Sequence, residues 1–322
     1  MRDLRVLTWL PVGSLLSLVA LSLSAPSVAE RLALPIALTG AVLGVPHGAV
    51  DHLVPWWWGP TAGPARRRIR SMVLFVFAYA SAAALALAAF LVAPTPSLVV
   101  FLVLSAVHFG RGEVVAAAER RGRSAPGPGS EWPATAAFGA AVVGLLLWAH
   151  PESVLPYIRP VSPWLADATM NSRLVGLVCV AGLVVLGLGA LLRARYWREA
   201  AELALVVMAF SVSPPLAAFG MYFGLWHAVR HTGRLLDLAH GLSNTRTSAA
   251  GSTPPAASWG SAARDVAIAA AVPTLVALVA MAALWTGRDL ASLQSEVAVL
   301  LALTFPHAAV VWALDRRVPR MI

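Results

Sequence analysis

The sequence predicts an all-α, polytopic membrane bundle of about ten helices, and three observations carry that reading. Hydrophobic residues make up 59% of the chain and charged ones only 12%, against roughly 25% charged in soluble domains. The apolar residues fall into runs near the length of about 20 that a bilayer crossing requires. Every cationic side chain other than histidine is an arginine, and the arginines collect in alternate gaps between those runs, as the positive-inside rule describes.

In order, the runs are 6–25, 32–54, 72–92, 97–117, 133–149, 174–192, 200–212, 216–238, 266–285 and 297–314. The first follows Arg2 and Arg5 and ends near Ser27-Val28-Ala29, a pattern shared by signal peptides and first helices; its length favours an uncleaved helix. The seventh is short and stops at Pro214-Pro215, which leaves a full crossing and a re-entrant element both open. The count therefore runs from eight to ten. Residues 1–322 read as a single membrane-embedded bundle. The segments at about 122–131 and 241–263, rich in Gly, Ser, Ala, Pro and Thr, read as mobile cytoplasmic loops. Trp56-Trp57-Trp58 reads as an interfacial aromatic anchor.

Arginine placement puts both termini in the cytoplasm of a multi-pass cell-membrane protein. Inside lie Arg66-Arg67-Arg68 with Arg70, Arg120-Arg121 with Arg123, Arg193/Arg195/Arg198, Arg234/Arg246/Arg264 and Arg316-Arg317. The opposite gaps carry few, offset by Glu152, Asp167 and Asp289. The net charge is +9, but it is dispersed over these gaps and forms no basic stripe, so nucleic acid is excluded as a partner. The one cysteine, Cys179, allows no internal disulfide.

Histidine is the informative residue. A helix rises about 1.5 Å per residue, so five of the eight fall at comparable depth. Counted from the outer surface, His47 and His231 lie roughly 22 Å down, and His108, His227 and His307 roughly 15–16 Å. Against a hydrocarbon core of about 30 Å, all are at or just inside the midplane. His52 and His240 reach the inner interface and His150 the outer end of its run. Ionisable groups at such depth face the bundle interior and serve a purpose there. His227 and His231, spaced i, i+4, share one helix face. A single buried histidine is commonly an interhelical tie; several at one depth on different helices indicate a metal site. Imidazole suits Zn, Cu, Fe and Ni. A closed tetrahedral site would be structural, whereas an octahedral ion on four imidazoles keeps two positions open. Asp51 and Glu113 are candidates to orient the rings from behind, or else to pair with Arg111 and Arg230.

The segments Gly44-Val45-Pro46-His47-Gly48-Ala49-Val50-Asp51, Val107-His108-Phe109-Gly110, Tyr222-Phe223-Gly224-Leu225-Trp226-His227-Ala228-Val229-Arg230-His231 and Phe305-Pro306-His307 resemble the Brp/Blh family of membrane-bound β-carotene 15,15′-dioxygenases. The resemblance implies Fe(II) held by His47, His108, His227 and His231. It also implies oxygen-dependent cleavage of the central double bond of β-carotene to two retinals, with a retinal-binding rhodopsin as a functional associate. Ala308 follows His307 where the family pattern has methionine, so His307 stands with Asp51, Glu113 and Arg230 as a residue behind the ligands. No catalytic acid, base or nucleophile beyond the metal ligands is expected. The rivals fit less well. A membrane di-iron hydroxylase or desaturase needs about eight histidines in boxes, a bis-His haem protein would show itself by its absorption, and a His/Asp-lined transporter needs polar groups along the whole path.

Overall fold

The computed structural model describes residues 5–54, 65–123, 125–126, 131–249, 259–285 and 290–317. All regular structure among them is helical. The helices are α1 (Arg5–Ser24), α2 (Pro26–Ala49), α3 (Ala65–Val92), α4 (Pro94–Arg120), α5 (Trp132–Trp148), α6 (Pro151–Ile158) and α7 (Pro163–Asn171). They continue with α8 (Arg173–Arg193), α9 (Trp197–Val212), α10 (Pro215–Met221), α11 (Ala228–Ala249), α12 (Trp259–Trp285) and α13 (Leu290–Arg317). A π-helical turn, Tyr222–His227, joins α10 to α11, and another, Ala140–Gly144, lies within α5.

Proline sets the starts. It occupies the first turn of α2, α4, α5, α6, α7 and α10, where its missing N–H has no intrahelical acceptor to lose and its fixed φ already suits the helix. Glycine stops α4. Gly122 has φ +68, and the Arg123 N–H bonds back to the Ala118 carbonyl at 2.9 Å, a Schellman closure in which a side chain at Gly122 would be strained.

Six described helices are long and apolar enough to cross a membrane, or seven if the bent pair formed by α5 and α6 (86° apart) counts as one span. Other runs fall short of that test for physical reasons. Helix α9 has 16 residues, and α5 ends at the bend before α6. The eighth run is broken by its π turn and carries Arg230, Arg234 and Asp237. Two further expectations change. Part of the outer segment before α8 is the helices α6 and α7, the latter capped by Ser162, whose hydroxyl accepts the Leu165 N–H at 3.1 Å. The expected loop at 241–263 is helical at both ends, through Ala249 and from Trp259. Trp56-Trp57-Trp58 lies outside the described residues.

Helix α1 belongs to the packed bundle. Leu15, Leu18 and Val19 are buried, and the Ser22 hydroxyl bonds to that of Ser213 at the end of α9.

Glycine positions the central helices. On α2, and on α10 with the π turn that follows it, the pairs Gly40/Gly44 and Gly220/Gly224 repeat every four residues and face each other. A methyl on Gly40 would overlap the Gly220 carbonyl, one on Gly224 would meet the Gly40 backbone, and one on Gly44 would strike the Phe223 ring. On α4 and α5, Gly110 abuts the Thr135 carbonyl and Gly139 the Ala106 carbonyl. Small residues at four-residue spacing let helix backbones touch, so dispersion and close packing replace the hydrophobic drive that lipid cannot supply. Gly182 on α8, by contrast, has open space around it.

Gly220→Ala should therefore lower stability by roughly 1–3 kcal/mol through forced separation of the backbones. Gly182→Ala should leave it unchanged or raise it by up to about 1 kcal/mol through helix propensity. Thermal unfolding of the two variants in detergent distinguishes them; equal effects would remove the glycine contact as the constraint.

Candidate functional site

His47 lies three residues beyond Gly44, and His227 three beyond Gly224. The glycine crossing of α2 and α10 thus delivers both rings to one place, 5.3 Å apart between centroids. His108 comes from α4, two residues before Gly110, and stands 5.0 Å from His227, their Nε2 atoms 3.2 Å apart. His231 follows His227 by one turn, its ring nearly parallel (7°) and 5.6 Å from His47. The fifth ring is His307 of α13, 4.9 Å from His47, 5.1 Å from His108 and 5.7 Å from His231. His47, His227, His231 and His307 are buried and His108 is partly so. The π turn ends at His227; such turns shift helix register locally and recur at functional sites.

The other three histidines lie elsewhere. His150 bonds the Phe210 carbonyl at 3.0 Å, His52 the carbonyl of Ala49, and His240 stacks on Trp259 at 4.1 Å.

Two surroundings meet at the cluster. On one side, Phe109 lies 5.0 Å from His227 and Phe223 5.4 Å from His47, with Phe219 stacked on Phe223. On the other lies a buried ion network. Arg230 pairs with Glu113 and with Glu202 at 3.0 Å, and its guanidinium lies 3.9 Å over the Trp226 ring. Arg234 bridges Glu119 at 2.7 Å and Asp315 at 2.6 Å, and Asp315 also takes Arg111 at 3.2 Å. Arg120 holds Glu202 at 3.0 Å and Arg121 holds Glu199 at 2.7 Å. Between cluster and network is a cavity of about 20 Å³ bounded by His108, His227, His231, Arg230, Arg234 and Asp315, room for a single water molecule.

Residues expected to stand behind the ligands have other partners. Glu113 bonds Arg230 and the Tyr222 hydroxyl, at 3.1 Å, rather than a ring. Asp51 holds neither His47 nor Arg230. The α-helix gives way after Ala49 to a 3₁₀ turn at Asp51–Leu53, which breaks the i, i+4 relation to His47. Asp51 instead accepts from His307 Nδ1 at 2.9 Å and from the Tyr79 hydroxyl at 3.1 Å. The His47 Nδ1 donates to the Gly44 carbonyl one turn earlier. Tyr79, Tyr222, Glu202, Arg234 and Asp315 were not expected near the site. For Tyr79 the available signal was a hydroxyl, with that of Ser81, in an otherwise apolar run.

The donor chemistry suits a transition metal. Imidazoles without a thiolate match iron, zinc, copper or nickel. Two nitrogens about 2 Å from one ion at tetrahedral or octahedral angles lie about 3 Å apart, close to the His108–His227 separation, and the buried His307 Nε2 makes no hydrogen bond. As the rings lie, His227 and His231 stack and the other pairs pack edge to face, and among the described residues no three His, Cys, Asp or Glu side chains are already disposed around one ion.

Residues 38–315 match the β-carotene 15,15′-dioxygenase family, and the chain belongs to that enzyme family. It is 28% identical over 309 residues to the probable β-carotene 15,15′-dioxygenase Blh of Halobacterium salinarum, covering 88% of this chain and 84% of that one. It is also 24% identical over 192 residues to the β-carotene 15,15′-dioxygenase of an uncultured marine bacterium, covering 59% of this chain and 64% of the relative. No solved structure matches.

Removing one partner of a buried pair leaves the other charge uncompensated. Glu113→Leu should cost roughly 3–5 kcal/mol of stability, while Glu152→Leu, which breaks the exposed pair with Arg173, should cost less than about 1 kcal/mol. Thermal melts in detergent compare the two, and an unperturbed Glu113→Leu would make the network incidental.

Proposed function

We propose that this protein uses dioxygen to cleave the central 15,15′ double bond of β-carotene, giving two retinals, at an intramembrane ferrous site held by His47, His108, His227 and His231. The observation that carries the reading is the convergence of these imidazoles inside apolar helices of a chain from this enzyme family. We further infer eight to ten membrane segments in the cell membrane, with both termini cytoplasmic and the ion network on the cytoplasmic side of the histidines.

Iron held by His47, His108, His227 and His231 would supply the oxygen-activating chemistry, and imidazole is a suitable donor for it. The chain's own residues do the rest. β-Carotene dissolves in the bilayer and is comparable in length to its apolar thickness, so it reaches a site at mid-depth sideways, between helices, without crossing water. Phe109, Phe219 and Phe223 form the apolar wall against which a polyene packs with its middle beside the rings. The Gly44 carbonyl fixes the His47 ring through Nδ1, leaving Nε2 toward the cluster. Behind the rings, Glu113, Glu202 and Asp315 pair with Arg230 and Arg234, so these cations stay in place beside the ligands. The cavity at that boundary has room for about one water molecule. Orientation and water exclusion are what a protein contributes when the cofactor carries the hard chemistry.

In a β-carotene-accumulating bacterium, expression should bleach the cells and produce retinal. Alanine at His47, His108, His227 or His231 should abolish both effects, while alanine at His150 or His240 should retain most activity. The purified protein should contain about one iron per chain, lose activity with a ferrous chelator and regain it with Fe(II). Intact carotene, shorter unequal products, or zinc in place of iron would overturn the proposal.

Membrane orientation has its own test. Reporters fused at Gly63, Ser124, Ser252 and the C-terminus should read cytoplasmic and one at Asp289 external. An external reading at Ser252 would reverse the direction assigned to α10 and α11 and place the ion network on the wrong side.

A further inference from the structure

The four-histidine reading leaves one imidazole of the cluster unused, and that one is held unlike the others. His307 Nδ1 lies 2.9 Å from Asp51 Oδ2, and the same oxygen accepts the Tyr79 hydroxyl at 3.1 Å. A carboxylate oxygen only accepts, so Nδ1 is the nitrogen that carries the hydrogen and Nε2 is left with its lone pair. That Nε2 is buried without a hydrogen-bond partner, and its ring lies within 4.9–5.7 Å of His47, His108 and His231. Buried acceptors are ordinarily satisfied. An unsatisfied one aimed among other imidazoles points to a ligand.

The ring and its two supports come from three separate parts of the fold. His307 is on α13, Asp51 is in the turn after α2, and Tyr79 is on α3. The ring also lies beside Gly48, where a methyl would be in ordinary contact with Nδ1 at 3.5 Å. Asp51 is buried and its recorded partners are His307 and Tyr79 rather than an arginine. A carboxylate fixing the far N–H of an imidazole is how metal-bound histidines are oriented and made better donors.

Resting on the iron-site reading above, we propose that His307 is a fifth imidazole ligand of that site, with Asp51 and Tyr79 as the positioning residues that set its ring. Five imidazoles leave a six-coordinate ion one open position where four leave two, so the number of ligands bears directly on how many reactants the ion can hold.

The test reads metal binding rather than turnover. Full-length wild type, His307→Ala, His307→Gln, Asp51→Asn and Tyr79→Phe are purified in detergent and titrated anaerobically with Fe(II). X-ray absorption counts the imidazoles around the bound iron. Wild type should show five. His307→Ala should lose one and bind Fe(II) at least about tenfold more weakly. Asp51→Asn should weaken binding about 10–100-fold, as loss of a ring-orienting partner does, and Tyr79→Phe should weaken it less. Should His307→Ala fail to fold, judged by its elution and melting without metal, His307→Gln and Asp51→Asn carry the same comparison. Four imidazoles in wild type, or an unchanged affinity and shell in the folded His307 variants, overturns the inference. If instead wild type takes up no iron and His47→Ala is indistinguishable from it, the underlying iron-site reading has failed.

Discussion

The contact on which the rest depends is the close crossing of α2 with α10 and its π turn, backbone against backbone at Gly40, Gly220 and Gly224, with Gly44 against the Phe223 ring. In lipid, apolar side chains gain little by leaving the solvent, because the solvent is equally apolar, so helices are held by close fit and by polar contacts. A side chain at any of these glycines would push the axes apart. Both glycine pairs end three residues short of a cluster histidine, His47 on one helix and His227 on the other. The same few ångströms that let the backbones touch let the rings meet. The α4/α5 crossing at Gly110 and Gly139 acts similarly on His108.

The second constraint is electrostatic. Arg230 and Arg234 follow His227 and His231 by three residues each, so the helix that supplies two of the clustered rings also carries two cations into the interior. Unpaired, these would be prohibitive in hydrocarbon. Glu113, Glu119, Glu202 and Asp315 neutralise them from α4, α9 and α13. Such pairs add little net stability over an apolar core, but removing one partner is severe. The network thus works as a register lock: α11 can slide or rotate only by breaking several pairs at once, and the rings keep their place relative to α4.

The sequence made some of this legible and hid the rest for definable reasons. The apolar runs located the long helices, with ends as much as about seven residues off, because the 20-residue crossing length is a strong constraint on their existence. Counting depth along them separated the five clustered histidines from His52, His150 and His240, since rise per residue is nearly constant. Azimuth is what such counting lacks. Asp51 stands four residues after His47, the spacing that would place it behind that ring in an unbroken helix. A 3₁₀ turn intervenes and aims it at His307 instead. The π turn before His227 is equally silent in sequence. Partner choice among Arg111, Arg230, Asp51 and Glu113 depended on which helix faces which, and composition contains no such information. The helices α6 and α7 were missed because they are too short and polar to resemble crossings.

These constraints divide the interior into two halves that meet at the histidines. Toward one end of the bundle lie Phe109, Phe219 and Phe223, where a hydrocarbon is at no disadvantage. Toward the other lie paired charges that a hydrocarbon cannot displace without leaving ions unsolvated. An apolar molecule lying beside the rings is therefore accommodated against the aromatic side and turned away from the side of the ion network.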